Sequence, residues 1–280
     1  METHLAVLIV HIACGFTALT VGIAPMVAQK GGRLHRGAGK IYVWAMYGVS
    51  ATTVALFLLH PQRPFLQFLL GIAVLAFYFT FTGVRAIALK RRQLKSLFAD
   101  RLIAWLTLCV SASMFVYGAY AVVFALQHHT GTFLGILYLI FGPTLGSAAF
   151  ADVKYFSLKK PAVKRHWFFQ HFIRMLSAYI ATFTAFCVVN VHFLPPLLVW
   201  TLPGIIGVTL ISRVVKKYRG EVRKSEKSES RRNRIGLRFP ALSGCYNNCS
   251  FFPDFPAFAG WLKSTGGKSE SPKAEETGLP

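Results

Sequence analysis

The sequence predicts an all-α fold, a polytopic transmembrane helical bundle of seven spans with the N-terminus outside and the C-terminus cytoplasmic. Three observations lead there. Seven apolar stretches of membrane-spanning length fill residues 5 to 214. Nearly every cation sits in alternate connections between them. The chain is 54% hydrophobic with a mean hydropathy of +0.48, above the roughly 45–50% apolar usage of soluble domains.

A bilayer core of about 30 Å asks for roughly 20 apolar residues per helix. Leu5–Ala28 is the first such run. The Met-Glu-Thr-His before it lacks a basic n-region and the run is too long for the core of a cleavable signal, so it reads as a span entered N-terminus outward. Ile41–His60, Phe65–Leu89 and Leu102–Leu126 follow, then a short fifth run, Phe133–Phe150. Phe172–Phe193 is the sixth, and Pro196–Val214, opening at the Pro195-Pro196 pair, is the seventh. Helix is the expected form, because a helix closes its own backbone hydrogen bonds where lipid offers no partner. Barrel strands would be alternating runs of about ten residues. Gly142-Pro143 and Pro203-Gly204 lie midway along the fifth and seventh runs. They read as ordinary kinks, although such breaks also build binding sites in transporters.

Orientation follows from the basic residues. The first connection carries Lys30, Arg33, Arg36 and Lys40; the third carries Lys90, Arg91, Arg92, Lys95 and Arg101; the fifth carries Lys154, Lys159, Lys160, Lys164 and Arg165. Arg213, Lys216, Lys217 and Arg219 follow the last span, and Arg63 is the only cation of the even connections. The net charge of +21 is thereby a property of one membrane face, suited to anionic headgroups. Charges confined to short loops against a bilayer give no reason to expect a nucleic-acid partner.

Residues 1–215 form the predicted transmembrane domain and 216–280 a largely disordered cytoplasmic tail. The tail opens with a charged, serine-rich linker, Lys216 to Arg234, and continues with an aromatic, proline-rich piece, Phe239 to Trp261, that follows neither a helical nor a strand period. Cys14, Cys109 and Cys187 fall in spans, where cysteine packs as a small apolar residue. Cys245 and Cys249 lack the second ligand pair of a structural zinc site.

Ionisable groups inside spans are costly and therefore candidates for function. The nine histidines sort into two layers. His4, His11, His60, His128, His129 and His192 lie towards the outside; His35, His166 and His171 lie towards the cytoplasm. His11 shares a helix face with Gly15, Ala18 and Gly22, so it is expected to face protein. His171 and His192 mark the two ends of one stripe on the sixth span. His11, His35, His166, His171 and His192 are the candidate polar, haem or metal site. Arg36, Arg85 and Arg174 are the candidate anion site, since arginine forks suit carboxylates and phosphates. Asp100 reads as an N-cap. Asp152, at a helix C-terminus where the dipole disfavours it, is expected to pair with Lys154, Arg85 or Arg174.

His11-x3-Gly15, the run His35-Arg36-Gly37-Ala38-Gly39-Lys40-Ile41-Tyr42, and His166-Trp167 through His171-x2-Arg174-Met175 with Ser177 to Thr182 and Thr184-Ala185-Phe186 resemble a bacterial family. This family comprises the predicted membrane proteins grouped as domain of unknown function 2306. The resemblance covers roughly residues 5 to 210 and implies a fold and a membrane location, with emphasis on the inner histidine layer. A looser similarity to membrane b-type cytochromes rests only on histidines near helix ends; paired in-span histidines on neighbouring helices are missing.

No phosphate loop, nucleophile elbow or H-E-x-x-H helix occurs in the sequence. Three functions fit what is present. The first is a non-catalytic membrane subunit or scaffold with a membrane-protein partner. The second is a redox protein holding haem or a transition metal through histidine. The third is a small-solute or anion transporter.

Overall fold

The computed structural model describes residues 2–91, 98–157 and 166–234. The stretch 235–280, with Cys245, Cys249 and the aromatic piece from Phe239 to Trp261, lies outside the described residues, as do Arg92, Lys95, Lys159, Lys160, Lys164 and Arg165. The described chain is helical: α1 (Glu2–Val21), α2 (Ile23–Val27), α3 (Arg33–Leu59), α4 (Pro64–Arg91), α5 (Phe98–Gln127), α6 (Phe133–Ser157), α7 (His166–Asn190) and α8 (Pro196–Arg234). No strand occurs among the described residues. Seven helical units, with α1 and α2 counted as one, are long and apolar enough to cross a membrane. Each has 24 to 30 residues, which at about 1.5 Å per residue exceeds the ~30 Å bilayer core by a turn or more.

Side-chain exposure fits lipid as the solvent. Phe16 is 63% exposed, Trp44 74% and Val189 70%, all within spans. Large apolar residues turned outward all around a bundle would leave a water-soluble protein with an aggregating surface. Inside, α1, α3, α4 and α7 form a closed ring of neighbours, each packed on the next. The helix α8 covers α7, while α6 lies against α4 and packs along α5, which also reaches α4. Phe68, Tyr78, Met46, Leu137 and Leu145 fill the centre and are almost fully buried. Near the N-terminal end of α4, Phe68 meets Tyr138, Phe141 and Trp200 edge-to-face at centroid distances of 5.2–5.8 Å, a favoured aromatic geometry.

The second helix starts at Arg33, not Ile41, and that of the sixth span runs His166–Asn190, not Phe172–Phe193; three further differences from the sequence reading have a local cause. The first span is not one continuous helix. Pro25 has no N–H to donate and its ring crowds the carbonyl four residues earlier, so α1 stops at Val21 and α2 restarts at Ile23. Gly22 at the break lies so close to Tyr179 that a Cβ would sit 2.8 Å from its ring. Second, the helix of the fifth span, α6, does not end at Phe150 but runs to Ser157. Asp152 and Lys154 interrupt the apolar run without interrupting the backbone ladder.

Third, residues 216–234, expected as a solvated linker, continue α8. Ile211, Val215, Tyr218 and Val222 recur at spacings of four, three and four, and this stripe packs on Phe168, Phe169 and Phe172 of α7. Arg, Lys and Glu between them are good helix formers, so the charges decorate a helix instead of dissolving it. Pro143 and Pro203 lie inside α6 and α8 without ending them. Beside the first, Ser111 of α5 donates to the Gly142 carbonyl at 2.8 Å.

Candidate functional site

The end of the bundle that bears the first, third and fifth connections holds the densest polar chemistry. Its centre is a three-helix junction. Asp152 of α6 accepts on one oxygen, Oδ2, from the Tyr78 hydroxyl of α4 at 2.6 Å and from Arg174 Nη2 of α7 at 2.9 Å. Arg174 also donates to the Ala148 carbonyl at 2.9 Å. Its guanidinium carbon lies 5.6 Å from the Tyr78 ring centroid and 5.5 Å from that of Phe79, within cation–π range. Arg174 and Asp152 are both buried. Of the three cations that sequence offered to Asp152, the fold selects Arg174, because its helix packs on α4 directly opposite Tyr78.

A second pair stands beside this junction. Arg85 of α4 grips Asp100 of α5 with two parallel bonds, Nε to Oδ1 and Nη2 to Oδ2, both 2.6 Å. Asp100 is not an N-cap residue: α5 begins at Phe98, which puts the carboxylate inside the first turn. The positive end of the helix dipole and the arginine fork both favour its charge there. Between the pairs lies a small cleft with about 30 Å³ of room for water, lined by both arginines, both aspartates, Thr82, His166 and Gln170 among others.

The inner histidines divide. His166 stacks on Tyr155, with ring centroids 4.2 Å apart, and receives the Gln170 amide at 3.3 Å. His35 and His171 meet each other across α3 and α7, edge-to-face at 6.4 Å. Each holds a backbone carbonyl through Nδ1, that of Pro25 at 3.0 Å and that of Gly83 at 2.8 Å. A carbonyl can only accept, so Nδ1 carries the proton and Nε2 keeps the lone pair in the neutral ring. This is the arrangement that orients histidine for a metal. Gly83 eases it: a Cβ there would lie 2.6 Å from Met175 Sδ and 3.3 Å from Arg174 Cβ, so α7 packs closely at this point. Lys30 closes the α2 end, donating to the Pro25 and Met26 carbonyls at 3.0 and 2.7 Å. Burial pulls its ammonium down to about 8.

The other candidates do not join this cluster. Arg36 is exposed and does not line the cavity, so Arg36, Arg85 and Arg174 do not form one anion site. His11 lies two helical turns from the N-terminus and its Nδ1 contacts Thr52 Oγ1 at 2.9 Å. Since the Thr52 proton goes to the Gly48 carbonyl, His11 is the donor. His192 is exposed beyond the end of α7. His4 and His60 meet at 5.2 Å. His129 takes the left-handed conformation, φ 51°, with Thr130 N–H returning to the Ala125 carbonyl at 2.9 Å; it is a Schellman stop for α5.

No group of three or more His, Cys, Asp or Glu positioned for a metal occurs among the described residues. Haem would need a broad slot between His35 and His171, and the cavity described above borders His166, not that pair. The sequence reading missed Tyr78 and Lys30. Tyr78 left no signal beyond an in-span hydroxyl; Lys30 takes the open carbonyls of the last turn of α2, a helix end that the apolar run does not announce. Comparison with models of protein families, with curated proteins and with solved structures yields no match.

Proposed function

We propose that this chain is a multi-pass protein of the bacterial plasma (inner) membrane that serves as a non-catalytic subunit or scaffold. The N-terminus is outside and the C-terminus cytoplasmic, as the cations of the odd connections require. That basic face meets anionic lipid headgroups, and a second membrane protein is the expected partner. Kinship with the domain of unknown function 2306 proteins belongs to the same proposal. Its support is the three motif regions, which supply His11, His35, His171 and Arg174.

One observation carries the scaffold reading: among the described residues, both buried carboxylates are engaged by arginines of neighbouring helices. Charges so paired hold helices in register. Purification in mild detergent with native mass measurement tests the reading. A fixed-stoichiometry complex with another membrane protein is expected; a lone monomer in every mild detergent overturns it.

A second reading, cation binding, is favoured by His35 and His171 alone, whose Nδ1 atoms are anchored and whose Nε2 atoms keep their lone pairs. Copper or zinc at one equivalent per chain, lost in His35→Ala, supports it. A sample without stoichiometric metal and without a Soret band removes it.

A further inference from the structure

Helix α8 is longer than a bilayer needs. Its 39 residues extend over about 58 Å at 1.5 Å per residue, against a hydrocarbon core of about 30 Å. Counted from Pro196, the core ends near Val215. The headgroup layer takes about 5–8 Å more, and the field of a charged bilayer fades within about 8 Å of that. Lys227 and Arg231 lie farther out, about 18 and 24 Å along the helix past Val215.

The apolar stripe that packs on α7 stops at Val222. Residues 223–234 contain no apolar residue, so this part of the helix has nothing to bury in a membrane surface. Its charges are sorted by face. At about 100° per residue, the spacing of Val215, Tyr218 and Val222 continues in sequence through Glu226 and Glu229, on the α7 side. Lys216, Arg223, Lys227 and Arg231 fall within an arc of about 80° on the opposite side, and all four are exposed. Arg223, Lys227 and Arg231 stand at i, i+4 and i+8, where like charges repel and weaken an isolated helix. A line of opposite charges offsets that repulsion. A second copy of this chain, basic on the same face, cannot supply it.

We propose that the outward basic face of residues 216–231 docks an acidic helix of a protein outside the membrane, one carrying Asp or Glu at the same i, i+4, i+8 repeat of about 6 Å. Complementary exposed charges of this kind set orientation and speed encounter. Nucleic acid is the weaker match: single-strand binders stack bases on aromatic side chains, and residues 223–234 have none. The idea goes beyond the scaffold reading. It needs α8 to leave the bilayer, on either side, and does not need a second membrane protein.

The full chain in phosphatidylcholine nanodiscs is titrated, by fluorescence anisotropy at low salt, against two alanine-based helical peptides of equal charge. One carries glutamate at i, i+4 and i+8; the other spreads its glutamates around the helix. Three exposed ion pairs together correspond to about tenfold in affinity, so the striped peptide is expected to bind about tenfold tighter than the other. Arg223→Gln, Lys227→Gln and Arg231→Gln, combined in one chain, are expected to remove that preference at unchanged melting temperature, since glutamine is a good helix former and these positions are exposed. Equal binding of the two peptides by the wild-type chain overturns the proposal, as does an undiminished preference in the folded triple variant. Tighter wild-type binding of polyuridine RNA than of the striped peptide overturns it in favour of nucleic acid. Loss of peptide binding when phosphatidylglycerol is added to the discs overturns it in favour of the bilayer.

Discussion

Asp152→Ala is the most informative single perturbation of this bundle. In the native structure the carboxylate is 6% exposed and receives two bonds, from Tyr78 at 2.6 Å and Arg174 at 2.9 Å. Its removal strands Arg174 with the Ala148 carbonyl as its remaining acceptor and leaves the Tyr78 hydroxyl buried without a partner. Breaking a buried ion pair from one side costs about 3–5 kcal/mol, and an orphaned buried hydroxyl adds roughly 1 kcal/mol or more. We expect a loss of about 4–5 kcal/mol, the terms overlapping because both involve the same carboxylate. Asp152→Leu with Arg174→Met removes both charges, so the double variant should recover about 2 kcal/mol relative to Asp152→Ala. Reversible unfolding in mixed micelles with increasing dodecyl sulfate measures all three proteins. An Asp152→Ala chain within about 0.5 kcal/mol of wild type would refute the reasoning, and so would a double variant less stable than the single one.

Gly22→Ala should destabilise the protein by about 1–3 kcal/mol, since a Cβ would sit 2.5 Å from the Ala18 carbonyl and 2.8 Å from the Tyr179 ring; Gly204→Ala, with nothing within 4 Å, should be neutral or slightly stabilising in the same assay. Lys30 titrates near 8 in the folded chain against an ordinary 10.5, so between those values the unfolded state binds more protons and stability should rise with pH. A pH series of melting temperatures checks this, with Lys30→Met flattening the rise. Val222→Asp places a carboxylate on the stripe that packs on α7 and should expose Lys216–Arg234 to trypsin faster than wild type, whereas Val208→Asp, on an exposed lipid-side position, should instead impair membrane insertion.

What sequence made legible and what it did not have separate physical causes. The spans were readable because hydrocarbon thickness imposes a length and because helix ends collect cations, two constraints that act locally along the chain. His11 was placed against protein correctly, since Gly15 and Ala18 on its face advertise close approach. The break at Gly22 is hidden because apolarity runs unbroken across it, with Pro25 three residues on as its one local mark. The extension of α8 is hidden by composition: Val215, Tyr218 and Val222 carry the stripe through a charged segment. The partner of Asp152 is narrowed by sequence to three cations and no further. Lys154, Arg85 and Arg174 lie at similar depth, and only the packing of α7 on α4 chooses among them. The His35–His171 meeting is likewise a product of tertiary structure, eased by Gly83.

Everything in this account depends on the chain threading the bilayer seven times with its basic connections on one side. In a cysteine-free background, Arg33→Cys, Gln62→Cys and Gly131→Cys report the first, second and fourth connections to a membrane-impermeant maleimide on intact cells. The account predicts labelling at positions 62 and 131 without permeabilisation and at position 33 only after it. Labelling of 33 and 62 from the same side, or recovery of the chain in the soluble fraction without detergent, would contradict it.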